Sequence, residues 1–274
     1  MNYSLSLADG VTWGLTGSQE VASWLQKLAS IMELPTTKET PADKIIHFVQ
    51  RENKEALFPS VDFELPQKNW HKQDFKSIVI WQHPEVAQLI CEVGVEAGHE
   101  LDVIRMWHAT APIQQLALDR GGLPFHAGFV VLDGKGYLLA ASGGTGKSTC
   151  CRRIPPPWQA ISDDEALIVK VGEGQYRVHP FPTWSNFLWK TDGGKSWRVE
   201  DSFPLAGIFF LEQAEQDEVL PVGQGQAVIS INEAATQVCR RNWRGLESEK
   251  EKDYKRKLFL NACDLAKNVP CYSM

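Results

Sequence analysis

Residues 137–150 read Tyr-Leu-Leu-Ala-Ala-Ser-Gly-Gly-Thr-Gly-Lys-Ser-Thr-Cys. The apolar run at the start of this stretch predicts a short buried strand, and the residues from its lysine onward can begin a helix. The glycines between them, Gly143, Gly144 and Gly146, allow backbone angles and a close approach that a side chain would block. A strand, a glycine-rich turn ending in Gly-Lys-Ser and a helix are typical of a phosphate-binding loop. The stretch therefore predicts a nucleotide or phosphate site.

Each part of the predicted loop has a physical task. Backbone N–H groups and the N-terminus of the helix attract phosphate oxygens. Lys147 can neutralise the terminal phosphates as a point charge, and Ser148 can offer its hydroxyl to Mg²⁺. The usual pattern begins with glycine, whereas Ala141 holds that place here, and a glycine-rich turn that binds nothing is the alternative interpretation. The candidate nucleotide-binding residues are Ser142, Gly143, Gly144, Thr145, Gly146, Lys147, Ser148 and Thr149.

Composition excludes several classes of protein. The chain has 274 residues, of which 43% are hydrophobic and 23% charged, as is typical of one large or two small globular domains. A net charge of −6 gives no general attraction to nucleic acid. The sequence contains neither a signal-peptide pattern nor an apolar run long enough to span a membrane. Its six cysteines form no Cys-x-x-Cys pair, which argues against a zinc site and indicates a reduced, cytoplasmic protein.

The pattern along the chain predicts two domains. Residues 1–120 are expected to form an accessory α/β domain, and residues 121–274 the domain that carries the loop. Within the first domain, Pro84 is expected to start a helix whose apolar face runs to Val93. Hairpins are predicted on both sides of the phosphate loop, and a last edge strand over 269–272. Hairpins around the loop favour an α/β fold with a mixed or antiparallel sheet over the doubly wound parallel one.

A second chemical stretch is Ile-Ser-Asp-Asp-Glu, residues 161–165, at the end of a predicted strand. Phosphoryl transfer needs a metal that neutralises the phosphates and a group that orients or deprotonates the acceptor. Two adjacent carboxylates can divide this work. We assign Asp164 with Ser148 to Mg²⁺ and Asp163 to the acceptor hydroxyl, although the two aspartates could exchange roles. A solvated turn or a helix cap is the structural alternative.

His126 stands at the entry of the strand that should neighbour the phosphate-loop strand. A single histidine is more often structural than functional. From this position, however, its imidazole could reach a phosphate or the aspartates. The candidate catalytic residues are therefore His126, Lys147, Asp163 and Asp164.

These residues resemble, in their order and approximate spacing, the catalytic domain of the HPr kinase family. That family has a histidine at the start of a strand, a hairpin into a Gly-Lys-Ser loop and an Asp-Asp pair that closes the following strand. The resemblance covers about residues 120–215. It implies a P-loop domain of the HPr kinase (PEP carboxykinase-like) type, with ATP and Mg²⁺ as cofactors. Because HPr kinases are hexamers, it also implies a possible homo-oligomer.

Four further segments are distinctive: 121–127, 144–151, 155–158 and 179–185. Through them, the whole chain is similar to HPr kinase-related ScmC proteins of the SynChlorMet cassette. Such cassettes also encode radical SAM enzymes and a small precursor peptide, so this resemblance implies a role in peptide modification.

One departure from the HPr kinase family is the absence of the Glu-x-Arg-Gly-Leu-Gly-like segment that bifunctional HPr kinase/phosphorylases carry after the Asp pair. This absence argues against phosphorylase activity and against HPr as the substrate.

We therefore expect an ATP-dependent kinase that acts on a Ser or Thr hydroxyl of a precursor peptide or small protein. One alternative is a nucleotide-binding carrier or recognition protein in which ATP is only a conformational ligand. The missing second segment favours this alternative, whereas Asp163 and Asp164 argue against it because binding alone needs no base. Another is a kinase for free serine or a similar metabolite, which would need a closed pocket where a peptide needs an open groove.

Overall fold

The computed structural model describes residues 2–38, 42–51, 64–66, 68–94, 99–141, 145–189, 195–243 and 246–274. In chain order, its strands are β1 (Asn2–Ser6), β2 (Thr12–Gly17), β3 (Thr36–Thr37), β4 (Lys44–Gln50), β5 (His71–Asp74), β6 (Ile78–Gln82), β7 (Gln88–Val93), β8 (Leu123–Leu132), β9 (Lys135–Ala140), β10 (Gln159–Ser162), β11 (Glu165–Gly172), β12 (Gln175–Phe181), β13 (Phe203–Phe210), β14 (Leu220–Pro221) and β15 (Cys271–Ser273). The α-helices are α1 (Ala22–Ile31), α2 (His99–Ala109), α3 (Ala111–Asp119), α4 (Lys147–Arg153), α5 (Trp184–Trp189), α6 (Gln224–Cys239) and α7 (Ser248–Asn268). No helix in these ranges is long and apolar enough to cross a bilayer.

The chain divides into two compact units. The first unit contains Met1–Ala111 and Trp184–Glu200, and the second contains Pro112–Thr183 and Asp201–Met274. The sequence predicted one boundary near residue 120. The packing instead changes between Ala111 and Pro112, and it assigns an inserted segment of the later chain, residues 184–200, to the first unit.

The first unit is built on a seven-stranded sheet in the order β3-β1-β2-β4-β7-β6-β5. The strands β2, β4 and β7 run parallel to one another, and the outer pairs are antiparallel. Helix α1 packs against β2, and the ring of Trp24 in α1 lies 5.4 Å from that of Phe48 in β4. Helix α1 lies in the connection from β2 to the parallel strand β4, so this part of the sheet contains a helical crossover.

The helix predicted from Pro84 to Val93 is wrong. Residues 88–93 form β7, which pairs with β4 on one side and β6 on the other. Every residue of β7 after Gln88 is buried. A strand buried on both faces has no polar alternation, so its apolar run cannot be distinguished from a helical face by periodicity.

Residues 184–200 belong to the first unit through backbone hydrogen bonds and helix packing. The Trp197 N–H donates to the Ile31 carbonyl at 2.9 Å. Helix α5 also packs on α2. Within the segment, the ring of Phe187 lies 6.3 Å from that of Trp184 and 5.9 Å from that of Trp197. These ring contacts give the segment an apolar cluster of its own.

The second unit is built on an eight-stranded mixed sheet. Its strands follow the order β10-β8-β11-β12-β13-β15-β14, with β9 paired to both β8 and β13. The pairs β13–β9 and β13–β15 are parallel and the others antiparallel, so the mixed α/β sheet predicted from the hairpins is confirmed. Helices α6 and α7 pack on each other and on β8. The core between them includes Phe125, Leu138, Ile208, Ile231 and Leu258.

The final strand is not at the edge of this sheet, contrary to the prediction for 269–272. Strand β15 is flanked by β13 and by β14, which has two residues, one of them a proline. So short a strand leaves no periodic signal in the sequence.

Helix α7 is fastened to the sheet through the carboxylate of Asp264. Lys170 Nζ and Tyr176 Oη both donate to Asp264 Oδ2 at 2.6 Å. Lys170 and Tyr176 are cross-strand partners in β11 and β12. The hydrogen bonds from Lys170 and then Tyr176 hold the pKa of Asp264 below its ordinary value. The pair of strands therefore presents two donors to one carboxylate on the helix.

Replacing Asp264 with asparagine is expected to lower the free energy of unfolding by about 1 kcal/mol at pH 7, a small value because the carboxylate is partly exposed. A carboxyl whose pKa is lowered in the fold stabilises it above the unfolded pKa of about 4 and loses this effect as pH falls through the folded pKa. The difference between wild type and Asp264→Asn, measured by urea denaturation, should therefore shrink on acidification. Glu233→Gln, at an exposed position of α6, is the control and should leave the free energy of unfolding unchanged. An equal effect there would contradict the role of Asp264.

Candidate functional site

The strand and helix predicted around the phosphate loop are both present. Strand β9 ends at Ala140, and α4 begins at Lys147 after Gly146. Gly146 has a φ of 110°, in the left-handed region that favours glycine. Of the predicted loop residues, Ser142, Gly143 and Gly144 lie outside the described residues. Thr145, Gly146, Lys147, Ser148 and Thr149 lie within them.

Gly128 allows α4 to approach β8 closely. A Cβ atom at this position would lie 2.2 Å from Cys151 Sγ and 3.6 Å from Lys147 Cγ. Both neighbours belong to α4, so any side chain at residue 128 would push the helix away from the strand. His126 stands two residues earlier on the same strand. The glycine therefore sets the distance between the lysine of the loop and the histidine of β8.

Substitution of Gly128 by alanine is expected to destabilise the second unit by about 1 to 3 kcal/mol, the usual cost of an overpacked contact. Chemical denaturation measures this loss. Gly225→Ala is the matched control: a Cβ there meets no atom within 4 Å, and Gly225 lies in α6, where alanine is the better helix former. If both variants behaved alike, the close contact between α4 and β8 would not be what residue 128 provides.

Three of the candidate catalytic residues form one chain of side-chain contacts. Lys147 Nζ contacts His126 Nε2, and His126 Nδ1 lies 3.3 Å from Asp164 Oδ1. A lysine ammonium only donates, so Nε2 accepts and the ring proton of a neutral imidazole sits on Nδ1, the nitrogen nearer to Asp164. The imidazole thus links the positive and negative groups while remaining neutral.

Strand pairing explains why His126 and Asp164 meet. Strands β8 and β11 are antiparallel, with His126 opposite Glu165. The N–H of Ala127 donates to the carbonyl of Asp164 at 3.0 Å. Asp164 is thereby fixed next to His126 by the backbone itself, and only its side-chain torsions are left to adjust.

Burial is the largest cause of the pKa shifts of Lys147 and His126. It lowers the pKa of Lys147, an effect that Asp164, Cys151, Asp163 and Glu165 oppose. Burial also lowers the pKa of His126 below its ordinary value of 6.5, and the charge of Lys147 adds to that effect while Asp164 opposes it. His126 is therefore neutral at pH 7, in agreement with its role as acceptor from Lys147.

The second aspartate has a different partner. Asp163 Oδ1 accepts a hydrogen bond of 2.9 Å from Thr183 Oγ1. Asp163 and Asp164 lie in the bend between β10 and β11, so the helix-cap alternative for this pair is wrong. The adjacent carboxylates are held by separate groups. Sequence reasoning missed Thr183, because the hydroxyl belongs to a residue that no local motif connects with the Asp pair.

The donor set can be tested against the predicted Mg²⁺. Within the described ranges, no group of three or more His, Cys, Asp or Glu side chains is arranged to hold a metal ion. Mg²⁺, however, is usually bound by one or two protein ligands together with water and substrate phosphates. The hydroxyl of Ser148, in the first turn of α4, and the carboxylate of Asp164 are ligands of this kind. The two residues therefore offer a hydroxyl and a carboxylate oxygen, the ligand types that Mg²⁺ prefers.

An ion pair that the sequence did not predict lies beside the histidine. Arg241 Nη2 donates to both carboxylate oxygens of Glu165 at 2.8 Å, and the Glu165 side chain is only 3% exposed. Burial lowers the pKa of Arg241, and Glu165 opposes that effect. Glu165 was noticed only as the third acid of an acidic run. Arg241 lies in the short 3₁₀ turn Arg240–Trp243 after α6, and no sequence pattern indicated that it would bind an acid.

Replacing Arg241 with methionine is expected to cost about 3 kcal/mol of unfolding free energy, because it leaves Glu165 buried and uncompensated. The double variant Arg241→Met/Glu165→Leu should recover most of this loss, since no lone charge remains. Urea denaturation measures both variants. Arg240→Met, at the exposed neighbouring position, is the control and should be near neutral. A double variant as unstable as Arg241→Met would contradict this account.

The fold and site define a mixed α/β protein whose candidate residues gather in the second unit. Residues 89–274 match the family described as SynChlorMet cassette protein ScmC, and the chain belongs to this family. Among solved structures, the Hpr(Ser) kinase/phosphatase from Coxiella burnetii is 20% identical over 35% of this chain and 69% of its own, with a TM-score of 0.26. No curated protein matches the sequence.

Proposed function

We propose that this ScmC protein is an ATP-dependent kinase that phosphorylates a Ser or Thr hydroxyl of a peptide or small protein. The proposed acceptor is the precursor peptide of a SynChlorMet cassette. The observation that carries the proposal is the chain of contacts from Lys147 through His126 to Asp164, with Lys147 at the start of helix α4 and strand β9 ending a few residues before it. Membership of the ScmC family supports the peptide as partner.

Each group in the chain has a role in this proposal. Lys147 uses its remaining N–H donors for the phosphates, with the loop residues from Ser142 to Thr149 around them. Neutral His126 lies between the ammonium and the Asp164 carboxylate, so that neither charge is neutralised by a direct ion pair. Ser148 and Asp164 would hold Mg²⁺, which supplies positive charge to the phosphates when bound.

The transfer itself is a displacement at the γ-phosphorus. The acceptor oxygen forms a bond to phosphorus while the bond to the β–γ bridging oxygen breaks, and ADP leaves with that electron pair. The proton of the acceptor hydroxyl passes to Asp163, which acts as general base. Asp163 is suited to this role because Asp164 is already engaged with His126.

A nucleotide-binding carrier is the second candidate function. It is favoured by the absence from the sequence of the Glu-x-Arg-Gly-Leu-Gly-like segment. A carrier would bind ATP and peptide without transferring phosphate. The cytoplasmic location and the homo-oligomer stay predictions for either function.

Incubation of the purified chain with ATP, Mg²⁺ and the precursor peptide tests the two functions, with intact mass as the readout. Wild type is expected to add one phosphate to the peptide. Asp163→Asn should bind ATP with unchanged affinity but transfer phosphate at least about 100-fold more slowly, because the general base is lost. Lys147→Met should weaken ATP binding itself. Asp133→Asn is the control, since Asp133 lies in the exposed turn between β8 and β9, and it should behave as wild type.

The remaining outcomes separate the alternatives. Binding of ATP by wild type without transfer would favour the carrier over the kinase. Absence of any nucleotide binding would contradict both functions and leave residues 142–148 as a glycine-rich turn. Equal losses in Asp163→Asn and Asp133→Asn would contradict the role of Asp163 while leaving the kinase function intact.

A further inference from the structure

The hydroxyl of Thr183 is the one described group that holds Asp163 by a direct side-chain hydrogen bond. Thr183 is 3% exposed, so water does not compete freely for this bond. It follows directly on Pro182 at the end of β12. The hydroxyl and the carboxylate lie 2.9 Å apart, the distance of a sound hydrogen bond to a carboxylate.

Strand register brings Thr183 to Asp163. In the antiparallel pair β11–β12, Glu165 stands opposite Phe181. Continuing the same register two residues beyond each strand end places Asp163 opposite Thr183. Directly opposed residues of an antiparallel pair have their side chains close together. The strand pair therefore brings the two segments together, and the hydrogen bond joins them just beyond the last paired residues.

The backbone that leads to Thr183 is anchored in the second unit. Phe181, two residues before it, is 1% exposed. Where the chain returns to the second unit, Arg177 in β12 donates to the Ser202 hydroxyl at 2.9 Å and to its carbonyl at 2.6 Å. A β-branched side chain on so constrained a backbone has few rotamers left.

A general base must be held in the right orientation as well as in the right place. The terminal torsion of an aspartate is broad, so a carboxylate without partners samples many orientations. A hydrogen bond from a fixed hydroxyl to one oxygen removes most of that freedom and leaves the other oxygen for the acceptor. The bond also distinguishes the two aspartates, because Thr183 engages Asp163 while His126 engages Asp164.

We propose that Thr183 is a positioning residue of the phosphotransfer site: its hydroxyl fixes the Asp163 carboxylate with one oxygen turned to the acceptor. This inference rests on the proposed kinase function and deepens it. It assigns the acceptor side of the site to Asp163 and the nucleotide side to Asp164, so the two carboxylates do not exchange roles. Thr183 itself touches neither nucleotide nor acceptor.

The test compares Thr183→Val, which keeps the shape and removes the hydroxyl, with Thr183→Ser, which keeps the hydroxyl. Phosphate transfer from ATP with Mg²⁺ is measured to the precursor peptide and, without peptide, to water. Thr183→Val is expected to lower kcat about tenfold, as a misoriented base does, with the KM for ATP unchanged. Thr183→Ser should stay near wild type. Thermal unfolding of each variant shows whether the fold is intact, and Thr183→Ala replaces Thr183→Val if the latter does not fold.

A double variant makes the test specific. A residue that acts only through Asp163 loses its effect once Asp163 can no longer serve as base. Asp163→Asn/Thr183→Val should therefore be no slower than Asp163→Asn alone. A further loss in the double variant, equal losses in Thr183→Val and Thr183→Ser, or full activity of Thr183→Val would each overturn the positioning role. Absence of turnover in wild type would overturn the kinase function and, with it, the positioning role.

Discussion

The antiparallel pairing of β8 with β11 is the constraint on which the candidate site depends. It sets Glu165 opposite His126 and fixes the Asp164 carbonyl to the Ala127 N–H. The same strand β8 carries Gly128, whose missing side chain admits α4. Histidine, aspartate and loop lysine are thus all placed relative to one strand. A slip of one residue in this register would turn His126 to the other face and separate all three groups.

Charge balance imposes a second constraint. Lys147 and Arg241 bring two positive charges into a region of low solvent exposure, where an uncompensated charge is costly. Arg241 is matched by Glu165, and Lys147 reaches Asp164 through a neutral imidazole. The first pair is a direct bidentate ion pair and stabilises the fold. In the second, the histidine lies between the ammonium and the carboxylate.

Local motifs could be predicted from the sequence, and contacts between distant segments could not. The strand before Lys147 and the helix that begins at it were predictable because they lie within a few residues of each other. Thr183 and Arg241 were not, because cross-strand register and helix packing bring them to the Asp run, and periodicity encodes neither. The inserted segment 184–200 was missed for the same reason: its backbone and helix α5 contact a unit whose other residues end at Ala111, far earlier in the sequence.

The adjacent aspartates lie in the bend between β10 and β11, where the chain passes from one strand to the next. Neighbours in sequence meet different surroundings there. Here β11 lies between β8 and β12, and its flanking aspartates are engaged from both: Asp164 by His126 of β8, and Asp163 by Thr183 beyond β12. Two identical side chains thereby have different partners. In the proposed kinase, this difference separates a carboxylate for the metal from a carboxylate for the acceptor.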